Sequence, residues 1–152
     1  MPLVGIVMGS KSDGEAMQPA LDILKNFNID YEVVVISAHR TPDKARDYAM
    51  AARQRGLEIL IAVAGGAAAL PGVLASWTTL PVIGVPLATS ELKGTDALYS
   101  IVQMPAGVPV ACMAVGGWGV RNAAYFAAEI LGLRYNNIRE SYEKYRSDLA
   151  RS

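Results

Sequence analysis

The chain has 152 residues, 52% of them apolar and 18% charged, and its 14 basic residues balance 14 acidic ones. That length holds one domain, residues 1–152, with a full hydrophobic core, and a neutral chain lacks the basic footprint of a nucleic-acid binder. No run approaches the roughly 18 apolar residues of a membrane span, and the single cysteine, Cys112, together with the lack of a signal peptide, predicts a reducing, cytoplasmic setting.

Short apolar runs alternate with helical stretches. "LVGIVM" (3–8), "YEVVVIS" (31–37), "EILIAVA" (58–64), "PVIGVP" (81–86) and "PVACMAV" (109–115) read as strands. Each is apolar on both faces, as in a parallel sheet covered on both sides. The first helix is predicted to begin at Ser12, where "SDGE" reads as a capping box with Glu15, and Pro19 predicts a kink or a loose first turn. The second follows Thr41 as N-cap and Pro42 as first residue, carries Ala45, Tyr48, Ala49 and Ala52 inward, and ends at Gly56.

Further helices are predicted over 67–77, 95–102, 120–131 and 137–150. In the last, Ile138, Tyr142, Tyr145 and Leu149 form one apolar stripe suited to docking on a neighbouring subunit. The alternation predicts a three-layer α/β/α sandwich, flavodoxin-like, with a parallel five-stranded sheet and an extra C-terminal helix. Right-handed crossovers place every strand's C-terminus along one edge, where such folds bind ligands.

Four loops reach that edge. "MGSKSD" brings Gly9, Ser10, Ser12 and Asp13 to a helix start, which suits an anion such as phosphate or is an ordinary capped turn. "SAHRTP" carries Ser37, Ala38, His39 and Arg40. His39 is the only histidine, and Arg40 offers a fork of donors matched to phosphate. An imidazole between that cation and a bound dianion can serve as a general acid–base; otherwise His39 is a surface residue. "AGGAAALPG" supplies Gly65, Gly66, Ala67, Ala68 and Leu70, a backbone-lined pocket for a small planar group or carbon dioxide, or a tight turn packed on the sheet. Residues 90–110 read as a partly mobile flap, and "GGWGVRNAA" (116–124) as another glycine-rich turn. One histidine and one cysteine cannot build a zinc site, so no metal is expected.

"GSKSD", "SAHRTP", "AGGAA-LPG", "PVIGVP", "G-D-LYSIVQMP-G-PV" and "NAA--AAEIL" follow one another in a familiar order and spacing. Across nearly its whole length the chain resembles the N5-carboxyaminoimidazole ribonucleotide mutases of purine biosynthesis, class I of the phosphoribosylaminoimidazole carboxylase catalytic subunits. The resemblance implies a homo-octamer that moves a carboxylate from the exocyclic nitrogen of an imidazole ribonucleotide to a ring carbon, with no cofactor. It implies that Ser10 and Asp13 bind the phosphoribosyl part, Arg40 the phosphate, and that His39 is the acid–base group. The loop from Gly65 faces the base and carbon dioxide. Ala69 stands where class I members usually read His, and Gly117, Trp118 and Arg121 also depart from their pattern. Direct carboxylation of the free amine, and a ribonucleotide-binding paralogue with impaired catalysis, are the alternatives.

Overall fold

The computed structural model describes residues Met1 to Ser152. Its strands are β1 (Val4–Met8), β2 (Tyr31–Val35), β3 (Ile59–Gly65), β4 (Val82–Leu87) and β5 (Ala111–Cys112). They form one parallel sheet in the order β2-β1-β3-β4-β5, the doubly wound order of flavodoxin-like folds. Side-chain alternation divides each inner strand between two cores. Val4, Ile6 and Met8 join Ile59, Ile61 and Val63 on one face, while Val7, Leu60, Ala62 and Ala64 face the other.

The helices are α1 (Gly14–Asn26), α2 (Pro42–Ala52), α3 (Leu70–Trp77), α4 (Thr95–Val102), α5 (Gly117–Gly132) and α6 (Asn136–Ala150). The first face is covered by α1, α5 and α6, and the second by α2, α3 and α4. No helix is long and apolar enough to cross a membrane.

Local chemistry moves some expected boundaries. A single 3-10 turn, Lys11–Asp13, precedes α1, and its cap is Ser10 rather than Ser12: Ser12 N–H donates to Ser10 Oγ at 3.3 Å. The serine two residues earlier in the strand exit reaches the first free amide, so the expected box with Glu15 does not form. α1 continues through Pro19, held to the sheet by buried Met17, Ala20 and Leu24 on either side of the missing donor. α3 begins three residues later than the expected 67, because residues 66–69 are spent in the turn above it. β5 contains only two paired residues of the expected seven.

Part of the region expected to be a flap is helical. It holds α4, with Ala97 and Ile101 buried under the sheet, and Met104 packs against Gly72 of α3 rather than over a cavity. Trp118 is 78% exposed on the first turn of α5.

The stripe on α6 docks on its own chain. Phe27, just past α1, lies edge-on to Tyr125, Tyr142 and Tyr145, with ring centroids 6.0, 5.9 and 6.0 Å away. Tyr125 and Tyr145 stack at 4.6 Å, and Ile138 is buried beside them. Leu149 of the stripe remains outside, 53% exposed. Within the chain the stripe packs on its own aromatic cluster, with Tyr142 and Tyr145 left half-buried. Phe27→Ala removes the shared ring and should destabilise the fold by about 3 kcal/mol. Calorimetry should record a thermal midpoint roughly 6–12 °C lower, and an unchanged midpoint would show that α6 is not held this way.

Candidate active site

Parallel winding brings the loops after β1, β2, β3 and β4 to one edge, and they enclose a cavity of about 310 Å³. Gly9, Ser10, Ser12, Asp13, Ser37, Ala38, His39, Arg40, Ala64, Gly65, Ala67, Ala69, Leu70 and Thr89 line it. Helices α1, α2 and α3 all begin beside it, so the positive ends of their peptide dipoles favour an anionic ligand.

The loop after β1 is tied to its neighbour and to itself. Gly9 N–H donates to Val63 O of β3 at 3.1 Å. Ser10 and Ser12 share a hydroxyl hydrogen bond of 2.9 Å, and Asp13 N–H donates to Ser10 O at 3.1 Å. Asp13 is the only charged side chain buried in the chain, at 6% exposure. Burial pushes its carboxyl pKa above the ordinary value, and a backbone hydrogen bond at Ser10 partly opposes this.

The loop after β2 closes on Ser37. Its carbonyl accepts from both the amide and the hydroxyl of Thr41, each at 2.8 Å. Its hydroxyl accepts from Arg40 N–H at 3.2 Å. Thr41 precedes α2 as expected, but its hydroxyl turns back into the loop instead of capping the helix. The five-residue turn fixes the backbone under His39 and Arg40 while both side chains stay exposed. Arg40 forms no ion pair within the chain, so its donors are available to a ligand.

The loop after β3 makes a sharp turn at Gly66, whose φ of +62° lies in the left-handed region. The turn sends Ala67 and Ala69 to the cavity and rotates Ala68 into the core at 1% exposure. Of the expected site residues, Ser10, Asp13, Arg40, Gly9, Ser12, Ser37, Ala38, His39, Gly65, Ala67 and Leu70 line the cavity together. Gly66 and Ala68 do not: one shapes the turn and the other packs beneath it. Ala64 and Thr89 line it without having been expected to, and Ala69 lines it where class I members usually carry His. Trp118 and Arg121 lie outside it, Asn122 is an exposed helix residue, and burial raises the thiol pKa of Cys112, away on β5.

No three His, Cys, Asp or Glu side chains gather at one point. The cavity instead divides into a polar half, from the loops after β1 and β2, and a half of backbone, alanine and leucine after β3. The polar half suits a phosphorylated sugar. The other suits a flat ring or a small carbonyl species.

Asp13→Asn tests the buried carboxylate. A raised native pKa means that ionising Asp13 opposes folding above that pKa. The variant should therefore be more stable near neutrality, with a higher thermal midpoint by calorimetry. The gain should shrink as pH falls through the raised pKa toward the ordinary carboxylate value, where both states carry the proton. A variant less stable than the parent at neutral pH would reverse the sign of this argument.

Comparison with known proteins gives a consistent result. The family model described as AIR carboxylase matches residues 3–152. The chain is 54% identical over 151 residues to the N5-carboxyaminoimidazole ribonucleotide mutase of Pyrococcus abyssi, covering 99% of this chain and 86% of that one. It is equally similar, at 54% over 151 residues, to the mutase of Thermotoga maritima, with 99% and 87% covered. A crystal structure of PurE from Treponema denticola superposes with a TM-score of 0.86 at 30% identity, covering 99% of this chain and 93% of that one. With its cavity-lining loops inside the matched region, this chain belongs to the AIR carboxylase family.

Proposed function

We propose that the chain is an N5-carboxyaminoimidazole ribonucleotide mutase of de novo purine biosynthesis. It is an isomerase that converts the N5-carboxylated substrate to 4-carboxy-5-aminoimidazole ribonucleotide. The observation that carries this reading is the placement of one imidazole. His39 stands beside an unpaired Arg40, in a cavity whose opposite wall is glycine and alanine backbone. Relatives at 54% identity that bear the mutase name support it.

The residues divide the work as follows. Arg40 holds the phosphate with its guanidinium fork. Ser10 and Asp13 hold the phosphoribosyl part, with Gly9, Ser12, Ser37 and Ala38 around them. His39, as imidazolium, gives its proton to the carbamate nitrogen. The N–C bond breaks, carbon dioxide leaves, and the amine is free. Carbon dioxide stays against Gly65, Ala67 and Leu70, near the N-terminus of α3, where a developing carboxylate is favoured. The ring carbon, made electron-rich by the amine, attacks it and forms the C–C bond. Neutral His39 then takes the ring-carbon proton and returns to its starting state. One group thus gives and takes a single proton, and no net proton is consumed.

Direct carboxylation of aminoimidazole ribonucleotide is the second reading. Ala69 favours it, because it offers the cavity a methyl group where class I members usually carry an imidazole. A catalytically impaired binding paralogue has less support. Trp118, the residue that would fill the site, lies outside the cavity.

The deciding experiment offers the purified protein either the carbamate ribonucleotide or the free amine with bicarbonate. The expected result is faster turnover of the carbamate; faster turnover of the amine with bicarbonate would establish the second reading. His39→Asn should lower kcat by roughly 10²–10⁴-fold with ribonucleotide binding retained, and a near-normal rate removes His39 from the mechanism. Arg40→Ala should weaken the phosphorylated ligand by roughly 10–100-fold and leave its nucleoside unaffected, as expected for charge-assisted hydrogen bonds. Equal losses for both ligands would mean that Arg40 does not hold the phosphate.

We also propose assembly into a homo-octamer. The motive is apolar side chains left outside both cores: Trp77 at 47%, Tyr99 at 66% and Val102 at 49% exposure. Light scattering should return the mass of eight 16.2 kDa chains, and a monomer at micromolar concentration would count against it.

A further inference from the structure

The cavity's two halves differ in one respect that the roles above leave unused. After β1 and β2 the lining side chains include Ser10, Ser12, Asp13, Ser37, His39 and Arg40. After β3 and β4 they are Ala64, Gly65, Ala67, Ala69, Leu70 and Thr89. Thr89 Oγ1 is the only side-chain hydrogen-bonding group on that second half.

Its position is built into the sheet. Gly65 pairs with Leu87 at the ends of β3 and β4, two residues before Thr89. A Cβ placed on Gly65 would lie 1.8 Å from Thr89 Oγ1 and 3.0 Å from Thr89 Cβ, so the threonine occupies the space that a side chain at 65 would need. Gly65 has no positive φ, so what requires glycine here is this close approach rather than backbone conformation. The β-branched side chain is stiff about χ1, and Thr89 stands exposed on the cavity wall.

The hydroxyl also has no partner within the protein. The adjacent Ser90 is engaged, donating to Asp96 and accepting from Leu92 N–H at 3.1 Å. Thr89 Oγ1 makes neither kind of bond. It holds one donor and two acceptor positions available on a wall otherwise lined by hydrocarbon and backbone.

We propose that Thr89 is a specificity-determining residue that hydrogen-bonds the polar edge of the ligand's heterocycle. The inference rests on the ribonucleotide reading above. Strands β2 and β4 are three spacings apart, about 14 Å. A mononucleotide anchored by phosphate at the Arg40 loop extends its base toward β3 and β4, where Thr89 is the one side chain able to recognise an amino or carboxylate substituent. With a methyl at Ala69, the far wall has no second side chain to share that task.

The test measures binding of 5-aminoimidazole ribonucleotide and of ribose 5-phosphate by calorimetry, on the parent, Thr89→Val and Thr89→Ser. Valine keeps the branched packing over Gly65 and loses the hydroxyl; serine keeps the hydroxyl. The expected result is about tenfold weaker ribonucleotide binding for the valine variant, unchanged ribose 5-phosphate binding, and near-parent affinity for serine. If valine does not fold, Thr89→Ala against Thr89→Ser gives the same comparison. Parent-like ribonucleotide binding without the hydroxyl overturns the proposal, as does an equal loss for both ligands, which would mark Thr89 as packing only. A parent that binds ribose 5-phosphate as tightly as the ribonucleotide would instead refute the ribonucleotide reading itself.

Discussion

The pairing of β1 with β3 is the constraint on which the site depends. It runs in register from Val4 opposite Ile59 to Met8 opposite Val63, and Gly9 N–H extends it one residue past the strand to Val63 O. Both strands are buried on both faces, so their amides and carbonyls have no water to turn to and must bond each other. That last bond fixes the serine-rich loop and the glycine-rich loop side by side. The polar and apolar halves of the cavity meet at this seam.

The meeting of two unlike surfaces suits the chemistry proposed. Carbon dioxide has no charge for a polar site to hold, and a wet cavity would lose it. A wall of alanine methyls and backbone amides confines it without strong binding, while the phosphate end supplies affinity away from the reacting atoms. The buried Asp13 carboxylate opposes the fold near neutrality, which fits a group placed for a ligand rather than for stability.

The sequence made most of the architecture legible because its signals are local. Apolar runs bounded by glycine, proline and serine mark the inner strands, and the four crossovers between the five strands were recoverable in order. Caps were harder, since Ser10 and Ser12 are both plausible and only geometry decides which hydroxyl reaches the first amide. In the loop after β3, "GGAAAL" does not reveal which alanines face the cavity. The left-handed turn at Gly66 chooses Ala67 and Ala69 over Ala68. Thr89 was missed for another reason: it is 24 positions from Gly65 in sequence and touches it only through the β3–β4 register. The α6 stripe carried a true apolar signal whose partner, Phe27, lies more than a hundred residues earlier.

The brevity of β5 has a consequence for the sheet's outer margin. A parallel sheet that ends on a long strand exposes a row of unpaired amides and carbonyls to any extended chain that passes. Here that border ends after Ala111 and Cys112, leaving an intruding strand scarcely one rung to grip. The opposite border, β2, runs five residues with Val33 and Val35 uncovered, so any tendency toward strand-on-strand aggregation is concentrated on that side alone.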